Sequence, residues 1–96
     1  MRFADLIQRQ LAFFREDHAD LIDACNAAER AYDRAERGEA EQRYAEYLEL
    51  VEEGVDVLSD IRDTYAATLD QEARDAYEEV FDREVKRHLP RFGLGL

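Results

Sequence analysis

Few side chains in this chain could carry chemistry. Two histidines, one cysteine and a single serine, Ser59, stand among twenty-four acids and thirteen bases. The one spacing that could supply paired metal ligands from a single helix face is Glu84 with His88, four residues apart; His18 is the other imidazole. A carboxylate-bridged di-iron bundle draws Glu and Glu-x-x-His from the inward faces of its helices. The residues three before His18 and His88 are Arg15 and Val85, so that spacing is absent. His18, Glu84 and His88 are the metal candidates of an alternative reading, an iron-handling or carboxylate-bridged bundle. An ion pair near a helix end is the simpler account of Glu84 and His88. Cys25 falls among alanines on an apolar seam, with no base beside it to lower its pKa, which reads as a small buried filler. No glycine-rich phosphate loop or nucleophile elbow is present, so the sequence predicts no catalytic residue, no cofactor and no enzyme.

The charge balance narrows the partners. A formal charge of −11, with Lys86 the only lysine, opposes direct nucleic-acid binding. Between Glu46 and Asp63 the acids Glu49, Glu52, Glu53, Asp56, Asp60 and Asp63 form a ridge broken only by Arg62. Such a ridge is a solvated face or a surface for a cationic protein. One cysteine excludes an intramolecular disulfide, and no apolar run approaches the ~20 residues of a membrane span. These features predict a cytoplasmic protein without membrane contact.

Helical periodicity runs through the whole chain and no alternating strand competes with it. Ala4, Ile7, Leu11, Phe14, His18, Leu21, Cys25, Ala28, Tyr32 and Ala35 keep one three-four seam. Continued past Ala35, that phase meets Glu39, Gln42 and Glu46, whereas the next apolar stripe starts at Tyr44. A phase slip at Gly38 predicts a turn, with the glycine taking a left-handed conformation. Tyr44, Leu48, Val51, Val55, Leu58 and Tyr65 then form one stripe, and Tyr47, Leu50, Val57 and Ile61 another, so this helix needs two neighbours. Thr68 and Gln71 match a capping box for a third helix, which Lys86, Arg87 and His88 close before Pro90. The reading is all-α: a long antiparallel helical hairpin with a shorter third helix, bundle-like, dimerising through the hairpin. It forms one domain over residues 1–89, with helices at about 2–36, 40–67 and 69–89, and an extended apolar tail at 90–96.

At ~1.5 Å per residue the third helix stops short of the hairpin tip. It is expected to cover the Phe3, Leu6 and Phe13 side of the first helix and to leave the tip to the tail or a second subunit. Tyr32, Tyr44, Tyr47 and Leu50 are the predicted homodimer interface, and Phe92, Leu94 and Leu96 a possible docking tail. Those last residues, interleaved with Gly93 and Gly95, resemble the C-terminal loading peptides of encapsulin cargo proteins, which implies a cargo or docking role. Length and acidity are similar to WXG100 secretion substrates, but Glu36-Arg37-Gly38 lacks their central Trp and Tyr77 is followed four residues on by Phe81, where their signal has an acid. The functional expectation is a homo-oligomeric interaction or regulatory module without catalysis.

Overall fold

The computed structural model describes residues 2–96; Met1, the first residue of the expected domain, lies outside them. Among the described residues the structure is helical throughout, with five helices and no strand. They are α1 (Ala4–Asp17), α2 (Ala19–Asp33), α3 (Ala40–Ala66), α4 (Gln71–His88) and α5 (Pro90–Gly93).

The expected helix over 2–36 is broken at His18, whose backbone (φ −117°, ψ 31°) lies outside the helical well. His18 N–H still donates to the Phe14 carbonyl and its own carbonyl accepts from Ile22, at 2.9 and 3.1 Å, so the break is a bend. It separates α1, which joins α4 in the core, from α2, which follows α3. α2 ends at Asp33, and the turn over 34–39 closes through Ala35 N–H to Tyr32 O and Glu39 N–H to Glu36 O, at 3.1 and 2.8 Å. No glycine has positive φ. The left-handed role expected of Gly38 is therefore corrected: no residue from Arg34 to Glu39 has positive φ.

α4 begins one residue after Asp70, whose carboxylate accepts from Ala73 N–H at 2.9 Å. This corrects the expected Thr68–Gln71 box, because the Thr68 hydroxyl donates back to Tyr65 O at 2.7 Å. Arg74 then ties α4 to the end of α3 by donating to the carbonyls of Ala66 and Leu69. Ala73, Tyr77, Phe81 and Val85 of α4, with Leu89 after it, repeat every four residues and are all buried. Tyr77, Phe81, Val85 and Leu89 meet Ile7, Leu11 and Phe14 of α1, Leu58 of α3 and Cys25 of α2 in one core. Phe3, at a left-handed N-cap (φ 72°), sets its ring edge-on to Tyr77 and Tyr65, and the Tyr77 hydroxyl donates to Gln10 at 2.9 Å. Burial pushes the Tyr77 phenol up to about 12.

The tail departs most from expectation. Residues 90–93 form a helical turn where an extended segment is predicted, because Pro90 suits a first helical position and the turn drives Phe92 into the core. Phe92 stands edge-on to Phe14 at 5.6 Å and lies over Gly54. A Cβ at Gly54 would come within 2.3 Å of the Phe92 ring, so this mid-helix glycine is the socket for the tail.

Candidate functional site

Residues with intrinsic reactivity do not converge. His88 Nε2 lies 3.0 Å from Glu84 Oε2 at the end of α4, and its carbonyl accepts from Arg15. His18 stacks on Phe14 with ring centres 5.4 Å apart. Arg62 pairs with Asp82 of α4 and with Asp63, both at 2.9 Å. Among the described residues no three His, Cys, Asp or Glu side chains gather as a metal site. Cys25 is fully enclosed, and burial pushes its thiol above the ordinary value, against the pull of Arg91.

At the α2–α3 end, the residues predicted as an interface divide in two. Tyr32 and Tyr44 are exposed, their ring centres 5.2 Å apart. Tyr47 is half-buried: its hydroxyl accepts from Arg91 Nε at 3.2 Å and lies 3.5 Å from Glu29, to which it donates. Leu50 packs on the core. Tyr47 and Leu50 are thus both partly buried against the chain's own residues. In the tail Phe92 is buried and Leu96 packs on the core, whereas Leu94 is 95% exposed.

Among the described residues, two open grooves with apolar floors lie on opposite flanks of α3. The first is a groove of about 450 Å³ between α1 and α3, floored by Val57, Ile61 and Phe14. Phe13 stands at its edge 65% exposed, so the expectation that α4 covers Phe13 is corrected. α4 takes the Ile7–Leu11–Phe14 side of α1, and a helix cannot turn both of two adjacent aromatics toward one neighbour. Arg9 and Asp17, four residues either side of Phe13, flank the same groove and make no ion pair among the described residues. The second face is a groove of about 520 Å³ on the other flank of α3, lined by Tyr44, Leu48, Val55 and Leu94 with Glu52 and Asp56. It lies beyond the reach of α4 and is only partly filled by α5. The sequence seam did not reveal Phe13 or Gly54; the available signals were the Phe13-Phe14 doublet and a glycine inside a strong helical pattern.

No helix among the described residues is long and apolar enough to cross a membrane. Comparisons with protein-family models, curated proteins and solved structures find no match for the chain.

Proposed function

We propose that the protein is a non-catalytic interaction module that works as a homodimer, its two copies joined through the α1–α3 groove around Phe13. The scaffold is a helical hairpin, α1 and α2 against α3, which α4 closes on one side and leaves open on the other. The observation that carries this reading is the series Arg9, Phe13, Asp17 along the open groove. In a two-fold interface each residue pairs reciprocally with its counterpart. A dyad at Phe13 sets Arg9 against Asp17 of the partner subunit, and Asp17 against Arg9 of the partner subunit, while both Phe13 rings enter apolar floor. The surface area agrees with such an interface. A monomer of 11.2 kDa exposes about 5,700 Å² by the usual size scaling. This chain exposes 6542 Å². The excess of roughly 850 Å² matches one partner's share of a standard interface.

Light scattering at micromolar concentration tests the proposal, with a mass of twice the chain expected. Phe13→Glu removes about 1.5–3 kcal/mol of apolar burial from each copy and leaves monomer. Arg9→Asp and Asp17→Arg each weaken association several-fold, on the scale of about 0.2–1 kcal/mol per rim pair. The double exchange restores it. A monomeric wild type, or a double exchange no tighter than the single variants, overturns the reading.

A further inference from the structure

We infer that the second groove, along the outer flank of α3, binds a basic amphipathic helix from another protein. This inference concerns a different face from the dimer contact and does not depend on it. Tyr44, Leu48 and Val55 belong to one three-four seam, the pattern with which a helix receives another helix. Further along α3, Leu58 of the same seam is buried beneath the chain's own core. Toward the N-terminal end of α3 the seam is only partly covered: Tyr44 meets Tyr32 of α2, yet Tyr44 and Leu48 remain 46% and 38% exposed. Leu94 rises beside them as a second apolar wall, 95% exposed although its neighbours Phe92 and Gly93 are buried. A leucine held in solvent by an anchored turn is placed to clamp an apolar face laid in the groove.

Charge selects the occupant. Glu52 and Asp56 stand four apart on one wall, are exposed, and make no ion pair among the described residues. Among the described residues the one base that lines the groove, Arg91, is held by Tyr47 and by Glu29 at 3.2 and 3.5 Å. The groove therefore offers an apolar floor and uncompensated negative charge. A second copy would bring the same acids together, adding to the repulsion between two molecules each of charge −11. A helix with apolar residues at i, i+3, i+4 and i+7, and Lys or Arg four apart beside them, satisfies floor and wall together. Tyr44 to Val55 spans about 16 Å at ~1.5 Å per residue, so three to four turns of partner fill it.

Fluorescence anisotropy with a labelled peptide of about fifteen residues tests this, the peptide carrying a Leu stripe at that spacing and Lys on its flanks. Saturable binding to the full chain is expected. Leu94→Asp, at a fully exposed site, weakens it about tenfold, the scale of losing one anchor. Glu52→Lys with Asp56→Lys abolishes it and confers binding of the same peptide with Glu in place of Lys. Phe13→Glu leaves it unchanged, which separates this face from the dimer contact. Three results would overturn the inference: no saturable binding, equal binding of a scrambled peptide of the same composition, or loss of self-association in Leu94→Asp, which would assign the groove to a second copy.

Discussion

Gly54 is where one missing methyl group decides the placement of a whole segment. Alanine inside a helix is favoured over glycine by roughly 0.5–1 kcal/mol, so an ordinary mid-helix glycine is improved by Gly→Ala. Here the added carbon would meet the Phe92 ring at 2.3 Å, and relief requires displacing a buried aromatic. Overpacking of this kind costs about 1–3 kcal/mol and exceeds the propensity gain. Gly54→Ala is therefore expected to destabilise the chain in urea unfolding, although it improves helix propensity. With Phe92→Ala the obstacle is gone, and the same glycine replacement should then stabilise by up to about 1 kcal/mol. The change of sign between the two backgrounds identifies the tail as the occupant of the socket. Equal effects in both would show that α5 does not seat on Gly54.

At the scale of elements, the α3–α4 corner shows which local signals the fold uses. Asp70 caps α4 through Ala73 N–H, and its negative charge suits the helix N-terminus. Asp70→Ala should lower stability by about 1 kcal/mol in thermal or urea unfolding. Thr68→Ala removes only an exposed hydroxyl bond to Tyr65 O and should change it by less than about 0.5 kcal/mol. The reverse order would restore the cap read from the sequence. Helix content and the stop before Pro90 were legible because each follows from periodicity or charge along one stretch of chain. The bend at His18 was not, since the seam runs through it unbroken and the bend answers to tertiary packing: α1 and α2 have different neighbours. The tail was misread for a related reason. Alternation of Phe92, Leu94 and Leu96 also fits an extended strand, and the socket at Gly54, distant in sequence, favours the helical turn that Pro90 starts. Of the candidate surfaces, Tyr44 and Leu94 were visible as unpaired apolar residues. Arg9, Phe13 and Asp17 acquire meaning only once α4 is known to take the other side of α1.

At the scale of the molecule, one net charge acts oppositely on the two proposed contacts. The body is elongated, 51 × 22 × 19 Å, and its radius of gyration of 15.4 Å exceeds the roughly 12.5 Å of a compact chain of this length. Both flanks of α3 are therefore within reach of partners, in the field of a surface charged −11. Two copies repel through that field, and the four charges of the paired Arg9 and Asp17 offset only part of it. Raising salt from about 0.02 to 0.3 M shortens the Debye length from roughly 20 to 6 Å and removes the long-range repulsion before it removes contact pairs. Dimer affinity should accordingly rise with salt. A basic helix is drawn in by the same field, so its affinity for the Leu94 groove should fall over the same range. Sedimentation of the dimer and anisotropy of the peptide, measured across one salt series, give two slopes of opposite sign. A dimer that loosens with salt would mean that ion pairs rather than the Phe13 floor hold the copies together. A peptide insensitive to salt would remove Glu52 and Asp56 from its recognition.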